Sequence, residues 1–126
     1  MQLPFIHIDV SHKRGKGVFT TKNIPANTII EIAPVIILSA GDRKIIEQTK
    51  LHSYIFEWGV KKKQGCVALG YVSMYNHSHE SNCEYEMDYI AQSITIRSVR
   101  KIAAGEELFV NYNAVWNDKT PVLNCP

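Results

Sequence analysis

The sequence has few cysteines, and those it has stand far apart. Cys66, Cys83 and Cys125 are an odd number in a chain of 126 residues, and they form no CxxC pair. This spacing argues against a disulfide framework and against a zinc knuckle, and it is typical of a reducing compartment. We therefore expect a cytoplasmic protein, or a nuclear one if the source is a eukaryote or a virus.

Long hydrophobic runs and a strong charge of one sign are also missing. No apolar run approaches the ~20 residues of a membrane span, and the N-terminal MQLPFIHIDVSHK lacks the apolar region of a signal peptide. The formal net charge of +2 is too small to indicate a basic surface that binds nucleic acid. We expect neither a membrane nor a nucleic acid as a direct partner. The length predicts a single domain, residues 1–126, with a modest core.

What the sequence does contain is a series of short β-type runs separated by turn residues. These runs include FIHIDV, TIIEIAPVIIL, EYEMDYIA and ITIRSV, and the last two, separated by Gln92-Ser93, are predicted to form a hairpin. Pro34 in the second run indicates an edge strand or a bend. SAGDRKIIEQTK is the best helix candidate, with Asp42 as its N-cap. The pattern predicts a mostly β fold.

The stretch RGKGVF, residues 14–19, places two glycines one residue apart. Gly15 and Gly17 let the backbone approach a ligand closely or adopt a positive φ in a turn. The stretch is not a phosphate loop, because no GK[ST] sequence follows and no helix is predicted there. On these residues alone, a plain turn is the simpler interpretation.

YNHSHESN, residues 75–82, concentrates polar side chains and supports three interpretations. Asparagine amides and a histidine can satisfy buried backbone groups where chain segments cross, and they can also hold a cofactor. Gly70, His77, His79 and Glu84 also resemble the first half of a cupin metal motif. The spacing from Gly70 to His77 is one residue too long for that motif, and no third histidine follows His79.

GEELFVNY, residues 105–112, is typical of a turn that leads into a strand ending at Tyr112. Tyr112 can be a core aromatic with a polar tip. A tyrosine at a strand end beside a polar cluster can equally orient a reacting group.

Taken together and in this order, the motifs resemble those of the SET domain of protein lysine methyltransferases. RGKGVF is similar to the family's N-terminal GxG segment, and YIFEW, residues 54–58, is similar to its YxFxx strand. YNHSHESN is similar to the NHSxxPN signature, and GEELFVNY to the GEELxxxY signature. The likeness covers residues 15–112, and the length is close to that of the minimal viral SET proteins. The resemblance implies a β-rich α+β fold of several short sheets, one or two short helices and a C-terminal pseudoknot.

The resemblance also implies a cofactor, S-adenosylmethionine, and residues that bind it. Asn76 and His77 would contact the cofactor and serve the pseudoknot crossing, so that His79 would not be a metal ligand. Gly15, Lys16 and Gly17 would bring their backbone to the cofactor.

Further roles follow from the same resemblance. Tyr54 would line the lysine channel, and Tyr112 would be the catalytic tyrosine and would also contact the cofactor. The family's cysteine-rich zinc segment is absent, so Trp116 would pack on the adenine. His79 and Ser81 depart from the family's Cys and Pro.

The implied function is methyl transfer from S-adenosylmethionine to a lysine of a protein, without a metal. A histone or another basic protein is the expected substrate, and a homodimer is an expectation from the small viral relatives. The alternatives are a cupin-like metalloprotein using His77, His79 and Glu84, and a SET-like module that binds without turnover. Val110 lacks the hydroxyl that would hold a water in the lysine channel, which favours multiple methylation.

Overall fold

The computed structural model describes residues 1–12, 15–113 and 117–121. These residues form nine strands, one α-helix and two short 3₁₀ helices at Lys50–Ser53 and Val72–Met74. The strands are β1 (Ile6–Ser11), β2 (Gly15–Thr20), β3 (Ile29–Leu38), β4 (Ile55–Trp58), β5 (Gln64–Ala68), β6 (Asn76–His77), β7 (Cys83–Asp88), β8 (Ser93–Ser98) and β9 (Glu107–Val110), and the helix is α1 (Ala40–Ile46). The mostly β fold is confirmed. In this part of the chain no helix is long and apolar enough to cross a membrane.

Five strands form one antiparallel sheet in the order β4-β5-β3-β8-β7. The predicted hairpin is present as β7 and β8, which pair from Cys83 with Ser98 to Asp88 with Ser93. Strand β3 is central, so the expectation that Pro34 marks an edge was wrong. Its first part, up to Pro34, pairs with β8, and its second part, from Val35, pairs with β5. Pro34 therefore lies where β3 exchanges one partner for the other, a position that tolerates its missing N–H.

The five-stranded sheet curls until its two edges face each other. Phe56 of β4 packs edge-on against Tyr85 of β7, with ring centroids 5.3 Å apart. Trp58 and Tyr89 make a second edge-on contact at 4.9 Å. The edges are joined by side chains at these two places, and an open space lies between them.

The remaining strands form a second sheet in the order β1-β2-β9-β6. The pairs β1–β2 and β2–β9 are antiparallel. The short β6 lies parallel to β9, with Asn76 opposite Phe109 and His77 opposite Val110. The sheet therefore brings the GxG segment, the Asn-His segment and the strand before Tyr112 together.

The core is made mostly of β-branched side chains from the two sheets and the loops between them. On β8, Ile94, Ile96 and Ser98 alternate with half-buried residues, as expected for a strand with one buried face. The core residues are Ile6, Val18, Ile24, Ile30, Ala33, Trp58, Cys66, Ala68, Val72, Tyr75, Cys83, Ile94, Ile96, Ile102, Leu108 and Val110.

Helix α1 lies on the surface and begins differently from the prediction. The N-cap is Ser39, whose Oγ accepts a hydrogen bond from the Asp42 amide at 3.1 Å. The prediction of Asp42 as N-cap was wrong. Asp42 lies instead in the first turn, where a negative charge suits the helix dipole.

Arg43 holds α1 to the sheet, since no residue of the helix is buried. Its Nη1 donates to the carbonyls of Lys62 (2.9 Å) and Gln64 (3.1 Å), and its Nη2 lies 3.3 Å from the Glu57 carboxylate. Its aliphatic stem lies over Gly65. The Arg43 side chain thus attaches α1 to the sheet, a task that the buried apolar face of a surface helix usually performs.

We predict that Arg43→Ala releases α1 and leaves the rest of the fold intact. Because its contacts are exposed, the global free energy of unfolding should change by about 1 kcal/mol or less. Hydrogen exchange should nevertheless show faster exchange of the amides of residues 40–46. Lys44→Ala, at an exposed position of the same helix, is the matched control and should leave their exchange unchanged. Equal exchange in the two variants would contradict the role given to Arg43.

Candidate active site

The glycines of the GxG segment lie at the start of β2 and differ in their surroundings. Gly15 has a positive φ of 72°, and a Cβ at this position would meet no atom of the described residues within 4 Å. A Cβ on Gly17 would overlap Oε2 of Glu107 and Nδ2 of Asn76. Lys16 is exposed between them. Gly15 therefore borders open space, whereas Gly17 is required by packing within the protein.

Asn76 connects this segment to β9 through its side-chain amide. Nδ2 donates to the Lys16 carbonyl at 3.1 Å and to Oε2 of Glu107 at 2.8 Å. The other carboxylate oxygen of Glu107 accepts from the Ser11 hydroxyl at 2.6 Å. Both amide hydrogens of Asn76 thus have partners in the protein, and its Oδ1 is the atom left to accept from a ligand.

His77 connects the same segment to Tyr112. The Tyr112 amide donates to Nδ1 of His77 at 3.0 Å. An accepting Nδ1 carries no proton, so this geometry requires the tautomer protonated at Nε2. The His77 ring also lies 5.0 Å from the Tyr112 ring and edge-on to His79 at 4.5 Å.

Residues of the YNHSHESN stretch bond the backbone of β9 at the point where the two segments cross, which is called the crossing below. Asn82 donates through Nδ2 to the Glu107 carbonyl and accepts through Oδ1 from the Phe109 amide, both at 2.8 Å. The Ser78 amide donates to the Val110 carbonyl at 3.1 Å. Asn76, His77, Ser81 and Asn82 are all buried. The interpretation of this stretch as a set of groups that satisfy a chain crossing therefore agrees with the structure.

Tyr112 contacts both this crossing and the space between the sheet edges. Its hydroxyl donates to the Tyr75 carbonyl at 3.1 Å, and its own carbonyl accepts from the Tyr85 hydroxyl at 3.2 Å. Together with the contact to His77, these bonds fix the residue at its amide, its carbonyl and its phenol. The hydroxyl proton is engaged by a backbone carbonyl, so the direction of the phenol O–H bond is fixed.

A cavity of about 780 Å³ opens between the edges of the curled sheet. Tyr54 lies on its wall, directly after the 3₁₀ helix Lys50–Ser53, and its carbonyl accepts from the Ser73 hydroxyl at 3.0 Å. The aromatic residues of the wall are Tyr54, Phe56, Tyr75, Tyr85, Tyr89 and Tyr112. The structure therefore brings Tyr54 and Tyr112, which are 58 positions apart in the sequence, to the same cavity.

The phenols deepest in this wall are held in their neutral form. Burial raises the pKa of Tyr85 to about 12, with smaller effects from Glu57 and Cys66. Burial and the neighbouring Glu31 raise the pKa of Tyr75 well above its ordinary value. Both rings therefore line the cavity as uncharged hydrogen-bond donors at neutral pH.

The sequence-predicted residues fall into two neighbouring groups. Tyr54 and Tyr112 belong to the cavity wall, and Gly15, Lys16 and Gly17 lie with the Asn-His segment at the crossing. Tyr112 joins the two groups through His77. Trp116 lies outside the described residues.

The residues of the cupin alternative do not form a metal site. The described ranges contain no group of three or more His, Cys, Asp or Glu side chains that could hold a metal ion. His77 and His79 contact each other through their rings, and His77 uses Nδ1 for the Tyr112 amide. Gly70, taken as the start of that motif, packs instead against the Glu31 carboxylate.

Sequence reasoning missed two carboxylates that lie next to the site. Glu107 bonds Ser11 and Asn76, and Glu31 bonds the amide of Tyr71 and the hydroxyl of Tyr75. Glu31 could have been noticed in the sequence, because it is a charged residue in the otherwise apolar run of β3. Its side chain is buried. Glu107 lies inside a quoted motif, but its partners are remote in sequence.

Comparison with known proteins agrees with this geometry. The family model described as the SET domain matches residues 15–113. A Schizosaccharomyces pombe protein named "Histone-lysine N-methyltransferase, H3 lysine-37 specific" is 36% identical over 117 residues, which cover 89% of this chain and 78% of that protein.

Solved structures give the same result for the fold. A crystal structure of a Plasmodium falciparum protein described as a histone methyltransferase matches with a TM-score of 0.67 and 27% identity, over 88% of this chain and 99% of that one. The Polycomb Repressive Complex 2 of Chaetomium thermophilum matches with a TM-score of 0.71 and 20% identity, over 85% of this chain and 14% of that one. The second likeness shows the fold alone. The chain belongs to the SET domain family and is a protein-lysine methyltransferase.

Proposed function

We propose that the enzyme binds S-adenosylmethionine at the crossing and receives the substrate lysine in the aromatic cavity, with Tyr112 between the two. The observation that carries this proposal is the position of Tyr112. Its phenol belongs to the cavity wall, and its amide is bonded to His77 of the Asn-His segment.

The residues at the crossing fit the cofactor. Gly15 leaves open space beside a backbone with a positive φ, which a ligand can approach closely. Oδ1 of Asn76 is an acceptor of the kind that suits an ammonium or amino group, because both hydrogens of its amide are bonded within the protein. S-adenosylmethionine, when bound, supplies an electrophilic methyl group on a sulfonium. We propose Gly15, Lys16, Gly17, Asn76 and His77 as the residues that hold it.

The cavity wall suits the amine that must react. A lysine has a pKa of ~10.4, so its neutral form at pH 7 costs about 4–5 kcal/mol. An apolar, aromatic wall disfavours the charged form by desolvation, and ring faces still tolerate the cation before it loses its proton. Tyr54, Phe56 and Tyr85 supply such a wall, and the raised pKa of Tyr85 keeps its phenol neutral.

Tyr112 is proposed to orient the reacting groups. Its hydroxyl proton is bonded to the Tyr75 carbonyl, so its lone pairs are directed by a fixed bond. Such an oxygen can accept from the amine or make weak CH···O contacts with the methyl group. The transfer is an in-line displacement that depends mainly on positioning, which is what three bonds to one residue provide.

The proposed substrate is a lysine in a histone or a similar basic protein. The Schizosaccharomyces pombe relative is named for a histone substrate. Asp118 lies at the rim of the cavity. Hydrogen bonds from the side chain and backbone of Thr120 lower its pKa. Asp118 therefore carries a negative charge that suits a basic peptide. Lysine 37 of histone H3 is the first position to examine.

Three expectations from the sequence stay predictions. These are the single domain over residues 1–126, the homodimer, and the cytoplasmic or nuclear location. Packing of Trp116 on the adenine also stays a prediction.

We predict that Gly17→Ala weakens binding of S-adenosylmethionine by about tenfold or more. The added methyl must displace Glu107 or Asn76, and a shift of about 1 Å in a positioned group can cost about 10²-fold. Calorimetry on chelator-treated protein measures the affinity and should detect binding to the unaltered protein without any metal. Gly41→Ala, on the surface of α1 in ordinary contact distance of Ser39, is the control and should bind normally. Binding that required added iron or zinc would support the cupin alternative.

We predict that Tyr112→Phe lowers turnover by about 10²-fold or more, the scale of losing one transition-state contact. The phenyl ring keeps its packing against His77, and the backbone bonds are unaffected. Affinity for S-adenosylmethionine should therefore change less than about threefold. Turnover is measured with labelled cofactor and affinity by calorimetry. A fully active Tyr112→Phe variant would show that Tyr112 contributes only packing.

We predict that the purified protein, given labelled S-adenosylmethionine and histones, labels histone H3 on a lysine. Mass spectrometry would locate the lysine, and a parallel reaction with Tyr112→Phe controls for contaminating activity. Labelling of another basic protein but not H3 would contradict the histone proposal and leave the enzyme class intact.

The same spectra report the degree of methylation. Val110 is 1% exposed in the core beside His77, and the phenols of Tyr54, Tyr75 and Tyr85 line the cavity. Multiple methylation stays the prediction from Val110. Only monomethyl-lysine at long times under excess cofactor would show that one of these phenols restricts the cavity instead.

A further inference from the structure

Glu31 is a buried carboxylate that the proposed mechanism does not use. It is 1% exposed on the core side of β3. Oε2 accepts from the Tyr71 amide at 2.8 Å and from Nε2 of Gln2 at 3.0 Å, and Oε1 accepts from the Tyr75 hydroxyl at 3.0 Å. In the described part of the chain no cationic side chain pairs with it.

The backbone around Glu31 is built to admit this carboxylate. Gly70 has a positive φ of 65°, and a Cβ there would overlap Oε2 of Glu31. The Tyr71 amide that follows can therefore reach the same oxygen. A buried polar group of this kind is expensive unless it is bonded, so all three donors contribute to keeping it in place.

Two hydrogen bonds connect Glu31 to Tyr112. The Tyr75 hydroxyl donates to Oε1 of Glu31, and the Tyr75 carbonyl accepts from the Tyr112 hydroxyl at 3.1 Å. The first bond fixes the ring end of Tyr75, and the second uses its backbone. The segment from Gly70 to Tyr75 is thus held by Glu31 at both ends, through the Tyr71 amide and the Tyr75 phenol.

We propose that Glu31 is a positioning residue for methyl transfer, acting through Tyr75 on the hydroxyl of Tyr112. This proposal rests on the role proposed above for Tyr112. A carbonyl that accepts a hydrogen bond sets the direction of the donor, so movement of the Tyr75 backbone redirects the lone pairs of the Tyr112 oxygen. The effect is expected in turnover, because the Tyr75 carbonyl bonds the Tyr112 hydroxyl directly, whereas the Asn76 side chain is held separately by Lys16 and Glu107.

A purely structural role makes a different prediction. If Glu31 served only the core, loss of the Tyr75 phenol would lower stability and leave the catalytic constants of the folded enzyme unchanged. The two roles therefore predict different values of kcat, and only the positioning role predicts that the effect depends on Tyr112.

The first test is Tyr75→Phe, which removes one donor to Glu31 and keeps the ring and the backbone carbonyl. We expect kcat to fall by about tenfold, since small misplacements of a reacting group are costly. The KM for substrate and the affinity for S-adenosylmethionine should change less than about twofold. Ile102→Val, a truncation in the core where Ile24 and Ile102 pair, controls for general loss of stability and should keep the normal kcat.

The second test repeats Tyr75→Phe in a Tyr112→Phe background. If Glu31 acts through the Tyr112 hydroxyl, the second substitution should lower the residual kcat by less than about twofold, because coupled residues are not additive. A further tenfold loss would overturn the proposal, and so would a normal kcat in Tyr75→Phe alone. A fully active Tyr112→Phe enzyme would instead contradict the role proposed for Tyr112.

A measurement without turnover completes the test. In protein labelled with ¹³C at the tyrosine Cζ, Tyr112→Phe identifies the Tyr112 resonance. Tyr75→Phe should shift this resonance in the absence of any ligand, whereas Ile102→Val should not.

If Tyr75→Phe fails to fold, Glu31→Gln serves in its place, because an amide keeps the shape but presents N–H groups to the existing donors. An unmoved Tyr112 resonance in the folded variant would overturn the proposal.

Discussion

Buried polar groups around β9 must find their hydrogen-bond partners within the protein, and this requirement organises the site. Asn82 satisfies a carbonyl and an amide of β9, and Asn76 bonds Glu107 at the start of the strand. His77 accepts from the amide of Tyr112, two residues beyond the end of the strand. Because each bond joins segments remote in sequence, the positions of Tyr112 and of the GxG segment are set together.

The crossing also separates two environments that the chemistry needs side by side. On one side lie polar side chains whose donors are already engaged, and on the other lies a cavity whose wall combines aromatic rings with charged side chains such as Glu57 and Asp118. A cofactor with charged groups suits the first environment, and an amine that must lose its proton suits the second. Tyr112 reaches both because its amide faces His77 and its phenol faces Tyr75.

Much of the site follows from local patterns in the sequence, and the rest depends on contacts that no local pattern contains. The mostly β fold, the β7–β8 hairpin and the family could be predicted, because alternation and motif order are local properties. The N-cap was misplaced since both Ser39 and Asp42 suit that position by residue type. Pro34 was misread because its tolerance depends on where β3 changes partners. For the cavity, the resemblance implied Tyr54 and Tyr112, but the contribution of Tyr85 and Tyr89 could not be predicted, since it arises only when the sheet curls.

The two glycines that pack against carboxylates explain how the site keeps its geometry. A side chain on Gly17 would overlap Glu107, and one on Gly70 would overlap Glu31. Each carboxylate then bonds a side chain of the 75–82 stretch, Glu107 reaching Asn76 and Glu31 reaching the phenol of Tyr75. A glycine in a motif is thus not by itself a sign of ligand contact. Gly15 differs because no described side chain packs where its Cβ would lie, and its positive φ of 72° is the physical reason for a glycine at this position.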